Sequence, residues 1–217
     1  MTRWLYGFEV RLVNSVLLVF CFFLSSAFAK NDTFEILMLG DSLTAGYGLP
    51  QDLTIPKLLE RKIKSDYPNV SIINGGVSGD TSAGGLTRLE WLLGPSIKAI
   101  IIELGANDGL RGINPSTTYS NLDQIIRKSK EFGLQVILTG MLAPPNLGPA
   151  YGDEFNRIYP DLAQKYDLIF FPFFLDGVVA NPELNQEDGI HPNKYGVEVI
   201  AEKLNPYLRK LIGALRK

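Results

Sequence analysis

Short apolar runs alternate along the chain with segments of helical periodicity. Phe34-Glu35-Ile36-Leu37-Met38-Leu39 reads as a strand. The spacing then predicts a helix over residues 55–65, with Thr54 able to cap it and Pro56 tolerated in its first turn. Val70-Ser71-Ile72-Ile73 is a second strand, followed by a helix over 81–93 that ends at Gly94-Pro95. Ala99-Ile100-Ile101-Ile102-Glu103-Leu104 is a third strand, with a helix over 116–132 closed by Gly133. Gln135-Val136-Ile137-Leu138 is the fourth, and a Pro/Gly-rich loop over 141–152 follows. Residues 155–166 look helical, Leu168-Ile169-Phe170 is a fifth strand, and 195–211 contain the last helix. Strands that lack polar alternation are buried on both faces, and strand–helix alternation makes the sheet parallel. The pattern therefore predicts a single three-layer α/β/α domain.

The amino-terminal segment stands apart from this pattern. Arg3 and Arg11 precede an apolar run from Val16 to Leu24, and Ala27-Phe28-Ala29 supplies a small-x-small cleavage site. Those are the three parts of a secretory signal. The expectation is a signal peptide over 1–29, a single domain over 30–217, and a periplasmic or secreted product with no stable membrane anchor. An uncleaved anchor is the rival reading, since residues 12–29 are near the lower length limit of a span. Cleavage would remove Cys21, the one cysteine of 217 residues, so neither disulfides nor a redox compartment would be needed. The net charge of −2, with both signs interspersed, argues against a concentrated basic surface and with it against a nucleic-acid partner.

Four short motifs fall just after strands. Gly40-Asp41-Ser42-Leu43 follows the first, Ser78-Gly79-Asp80 the second and Gly105-Ala106-Asn107-Asp108 the third; Asp188-Gly189-Ile190-His191-Pro192 lies beyond the fifth. In a parallel sheet these connections emerge at one carboxyl edge, where such folds place their ligand crevice. Serine is a poor nucleophile near neutral pH unless a base takes its proton and a carboxylate holds that base in one tautomer. His191 is the only histidine, so it is the base if the chemistry is of this kind. Asp188, three residues before it, can reach Nδ1 and leave Nε2 for Ser42. Glycines around the serine (Gly40, Gly46, Gly48) permit close backbone approach. The backbone N–H groups of Ser42 and Gly79 and the side-chain amide of Asn107 are candidates for an oxyanion hole. Each motif alone has a plainer reading. Ser42 or Asp188 could cap a helix, His191 could be structural, and Gly79 and Asn107 could stabilise turns. Their convergence on one rim reverses that balance.

Other signatures are missing. There is no Gly-x-Ser-x-Gly elbow, no phosphate loop and no dinucleotide loop. One histidine disfavours metal ligation. The run Phe170-Phe171-Pro172-Phe173-Phe174-Leu175 reads as core and packing corner more readily than as an acyl pocket. Residues 141–152 suit a mobile lid and an inert connector about equally.

Taken together, the four blocks resemble the SGNH/GDSL hydrolases, named for Ser, Gly, Asn and His in successive blocks. Here these are Ser42, Gly79, Asn107 and His191, with order and separations that agree over essentially the whole chain after residue 30. The likeness is greatest to the periplasmic thioesterase, lysophospholipase and arylesterase subgroup, through Ile158-Tyr159-Pro160-Asp161-Leu162-Ala163 and Phe171-Pro172-Phe173-Phe174 as well. The resemblance implies a flavodoxin-like sheet in the order 2-1-3-4-5, no cofactor, and hydrolysis of acyl esters or thioesters. Short to medium acyl esters, aryl esters, thioesters and lysophospholipids all suit such a site, and a monomer is expected. Removal of O-acetyl groups from carbohydrate is the runner-up activity. A non-catalytic protein that binds an acylated ligand in the same cleft is the rival from another class.

Overall fold

The computed structural model describes residues 33–216, so the signal-peptide expectation over 1–29 lies outside the described residues. Strand β1 (Phe34–Gly40) leads into a single-turn helix α1 (Ser42–Ala45), a 3₁₀ turn (Gln51–Leu53) and α2 (Ile55–Ile63). Next come β2 (Val70–Gly76), α3 (Ser82–Leu92), β3 (Ile97–Glu103), the short α4 (Ala106–Leu110) and α5 (Pro115–Glu131). The chain closes with β4 (Gln135–Thr139), α6 (Pro149–Tyr166), β5 (Ile169–Phe171) and α7 (Lys194–Leu215).

The strands form one parallel sheet in the order β2-β1-β3-β4-β5. Helices α2 and α7 cover one face, while α3, α5 and α6 cover the other. That double cover explains the sequence pattern. Ile36, Leu37, Met38 and Leu39 point alternately to opposite faces, yet all four are fully buried. Burying such side chains contributes roughly 1.5–3 kcal/mol each, which makes the central strands the chief stabilising element. The order reverses between β1 and β3, and the loops that leave these two strands flank a crevice. Ser42 follows one and Asn107 the other.

Two local expectations are corrected. Thr54 stands at the amino end of α2, but its side chain makes no cap; the hydroxyl donates to the Gln51 carbonyl at 3.1 Å. Pro56 occupies the second helical position and has no N–H to be capped. Helix α6 begins at Pro149 rather than 155, which shortens the Pro/Gly-rich loop to residues 141–148. Proline suits a first helical turn because its missing N–H would have had no partner there. Among the described residues no helix is long and apolar enough to cross a membrane.

Candidate active site

The chain turns sharply as it leaves β1. The Asp41 carboxylate accepts the Leu43 N–H at 2.9 Å, which starts α1 and sets Ser42 at its first position. Gly40 is required beneath this turn, since a Cβ there would lie 2.0 Å from the Thr44 hydroxyl and 2.5 Å from Glu103 Oε2. Arg88 of α3 locks the edge from the side. Its guanidinium donates to the carbonyls of Gly40 and Gly75 at 2.8 and 2.7 Å and also pairs with Asp80.

His191 arrives from the opposite side of the crevice on a loop held by asparagine and glutamine side chains. Asn185 donates to the carbonyls of Val178 and Asn181, and Asn193 caps α7. Gln186 donates to the Tyr47 carbonyl at 2.7 Å and to that of Pro192 at 3.0 Å, which ties the histidine loop to the serine loop. The Tyr47 ring lies against the imidazole with centroids 4.5 Å apart.

Ser42, His191 and Asp188 form one hydrogen-bonded line. His191 Nδ1 is 2.7 Å from Asp188 Oδ2, and Nε2 is 2.9 Å from Ser42 Oγ. A carboxylate can only accept, so Nδ1 carries the proton and Nε2 is left to accept from the serine hydroxyl. Asp188 Oδ1 also accepts the backbone N–H groups of Ile190 and His191, each at 3.0 Å. The His191 N–H, the imidazole and the Ile190 N–H hold the Asp188 carboxyl down to about 2, so it is ionised at neutral pH.

Gly79 and Asn107 close the other side of the nucleophile. Gly79 has φ of +84°, a conformation that favours glycine. Its carbonyl accepts from Arg111 at 2.7 Å. Among the described residues, no acceptor meets the N–H of Ser42 or of Gly79. Asn107 Nδ2 donates to Asp41 Oδ2 at 3.0 Å and lines the crevice beside Ser42 and Gly79. Asp108 fastens the second and third blocks together by accepting from the Ser82 N–H and hydroxyl and from the Thr118 hydroxyl. Asn107→Ala removes a side-chain donor without disturbing these bonds. The expected fall in kcat for ester hydrolysis is about 10²–10³-fold, read from steady-state kinetics beside the parent.

A cleft of about 710 Å³ runs from these residues. Leu110, Met141, Leu142, Pro144, Phe173 and Val179 form much of its wall. The phenylalanine run divides its labour: Phe171 and Phe174 are buried in the core, whereas Phe173 and Leu175 face the cleft. Residues 141–145 border the cleft directly, and Asn156 of α6 accepts the Ala143 N–H at 2.8 Å. Among the described residues no cluster of three or more His, Cys, Asp or Glu side chains is placed to hold a metal.

Several site residues carried no assignment in the sequence reading: Asp41, Glu103, Arg88 and Gln186. Glu103 had a visible signal, a carboxylate in an otherwise apolar strand. A fully buried carboxyl needs a reason. Burial pushes the Glu103 carboxyl well up, and the neighbouring Asp41 charge pushes it further. Burial also raises Asp41 to about 6, although the Leu43 N–H and the Asn107 amide pull the other way. Holding Asp41 charged near neutral pH costs the fold about 3 kcal/mol relative to a solvated aspartate. The sign follows from the raised value: the penalty is absent below pH about 4, where the carboxyl is protonated folded or unfolded, and builds up as pH rises through 6.

Serine, imidazole and carboxylate lie in one hydrogen-bonded line at the carboxyl edge of this parallel sheet, the geometry that activated-serine chemistry requires. The sequence profile of the GDSL-like Lipase/Acylhydrolase family matches residues 38–199, and the chain belongs to this family of ester hydrolases. The chain is 42% identical over 189 residues to the arylesterase of Vibrio mimicus, covering 87% of this chain and 92% of that protein. It is 38% identical over 196 residues to thioesterase 1/protease 1/lysophospholipase L1 of Escherichia coli K12, covering 90% and 93%. Among solved structures, TesA superposes with a TM-score of 0.77 at 38% identity, covering 82% of this chain and 99% of that one. AlinE4, an SGNH-hydrolase family esterase, gives 0.69 at 44% identity, covering 82% and 96%.

Proposed function

We propose that the protein hydrolyses acyl esters and thioesters through an acyl-enzyme on Ser42. Ser42 Oγ attacks the acyl carbonyl while His191 Nε2 takes its proton, and Asp188 stabilises the imidazolium that forms. The oxyanion is met by the N–H groups of Ser42 and Gly79 and by the Asn107 amide. His191 then protonates the departing alcohol or thiol, and water repeats the sequence to release the acid. The observation that carries this reading is the pair of contacts made by one imidazole, 2.9 Å to Ser42 and 2.7 Å to Asp188.

The substrate class follows from the cleft. Its walls are largely apolar side chains, which suit short to medium acyl or aryl groups. The relatives named arylesterase and thioesterase/lysophospholipase support the same class. A carbohydrate acetyl ester fits less well, because sugar hydroxyls buried there would lose water without gaining partners. Export to the periplasm or beyond rests on Arg3, Arg11 and the apolar segment up to Ala29.

A fluorophosphonate probe is expected to label Ser42 alone, read by intact mass and peptide mapping. On p-nitrophenyl esters, kcat/KM is expected to rise from acetyl towards octanoyl, since each buried methylene contributes up to about 0.8 kcal/mol. Optimal turnover of the acetyl ester, declining with length, would favour the carbohydrate reading. An unlabelled protein inert on every ester would favour a pure binder.

A further inference from the structure

Beneath the nucleophile turn lie two carboxyl groups that the proposed chemistry does not use. Asp41 is 1% exposed and Glu103 fully buried, and the Asp41 N–H donates to Glu103 Oε2 at 3.3 Å. The Thr44 hydroxyl donates to the same oxygen at 2.8 Å. Glu103 Oε1 has no hydrogen-bond partner. Asp41 is placed differently: its two oxygens each accept an N–H, from Leu43 and from Asn107.

These contacts decide which group keeps a proton. Two buried carboxyls whose charges act on each other do not both ionise readily. N–H donors on both oxygens favour the charged form of Asp41, whereas Glu103 has donors on one oxygen only and no cation beside it. The other charged or titratable groups around the pair do not reverse that order. Asp80 raises Asp41 and His191 lowers it. Arg88 is engaged by Gly40, Gly75 and Asp80. Asp108 is engaged by Ser82 and Thr118, and the Tyr159 hydroxyl donates to the Leu104 carbonyl.

We propose that Asp41 and Glu103 hold a single proton between them, on Glu103, and that ionised Asp41 is a positioning residue which keeps the N–H side of the Asn107 amide turned towards the oxyanion. The proposal rests on the serine-esterase reading. When Asp41 takes up a proton, one of its oxygens becomes a donor facing an N–H. The Asn107 amide then relieves the conflict by turning over, which brings its carbonyl oxygen to where the oxyanion forms. An acceptor there repels the charge it formerly stabilised. Acid therefore weakens catalysis twice, once by protonating the base His191 and once by protonating Asp41.

The test is the pH dependence of kcat/KM for a p-nitrophenyl ester, using the full chain with circular dichroism recorded at each pH. This parameter reports ionisations of the free enzyme. The wild type is expected to lose activity in acid more steeply than one proton allows while its fold is retained. Asp41→Asn, which imitates the protonated acid, is expected to show a one-proton acid limb and a plateau about 10²-fold lower. Glu103→Gln replaces one neutral group by another and is expected to keep the steep limb at its original midpoint. A midpoint moved to lower pH in Glu103→Gln would make Glu103 the ionised member and overturn the assignment. A one-proton limb in the wild type would overturn the proposal even if Asp41→Asn fails to fold, as would an Asp41→Asn profile matching the wild type. Fluorophosphonate labelling of wild-type Ser42 separates the two levels: labelling with a one-proton limb removes only the carboxyl pair, whereas no labelling removes the serine reading itself.

Discussion

Ser42→Ala is expected to lower kcat for ester hydrolysis by about 10⁴- to 10⁶-fold. Among the described residues, the side chain removed is the one hydroxyl that hydrogen-bonds His191 Nε2, at 2.9 Å, and so the one placed to take an acyl group while its proton passes to the imidazole. What survives is the oxyanion hole and the cleft, which can only assist direct attack by water. Stability should change little, within roughly 0.5 kcal/mol, because the Ser42 hydroxyl meets only His191 and the turn is held by the Asp41 carboxylate. Steady-state kinetics and a thermal melt of the same preparation check both halves. Activity within tenfold of the parent would remove the serine mechanism.

Asp188→Asn is the second large effect, a loss of about 10³–10⁴-fold in kcat. The substitution nearly preserves shape, and the new amide oxygen can still accept the Ile190 and His191 N–H groups. Its NH₂ end faces Nδ1, however, and a donor there favours the tautomer with the proton on Nε2. That proton points at Ser42, so the imidazole can no longer accept from it. The Asp188 side chain is 37% exposed and the His191 side chain 17%, so water can take part of the role, which favours the lower end of the range. The pH profile supplies a further check. Because Asp188 lies near 2, below the ordinary aspartate value, its contribution is present above about 4 and lost only as pH falls through 2. Acid loss of activity at higher pH therefore does not arise from Asp188. A mutant retaining more than a tenth of the parent's kcat would remove Asp188 from its orienting role.

The sheet was legible because central parallel strands are apolar on both faces, and Ile36 to Leu39 have no other stable environment. Element ends were less so. The start of α6 was missed although Pro149 is a helix-start signal, since the Pro/Gly-rich neighbourhood was read as loop. Thr54 failed as a side-chain cap: Pro56 removes one of the two N–H groups such a cap can take, and the Thr54 hydroxyl donates back to the Gln51 carbonyl instead. Among site residues, Ser42, Gly79, Asn107, Asp188 and His191 were legible because motif spacing and strand ends together place them on one edge. Glu103 was passed over as part of an apolar strand, and Gln186 had no local signal, since its value lies in reaching Tyr47 across 139 positions of chain.

The sequence by itself determined the layers, the edge at which the motifs meet, and the one candidate for a base in serine chemistry, because a single histidine permits one choice. Tertiary structure alone decided the distances that make those residues chemistry. Only the pairing of β1 with β3 brings Asp41 against Glu103 and Asn107, and only the long return after β5 carries His191 back to Ser42. Periodicity records which side of an element is buried. The meeting of two residues far apart in sequence depends on the relative placement of whole elements, and no local pattern encodes it.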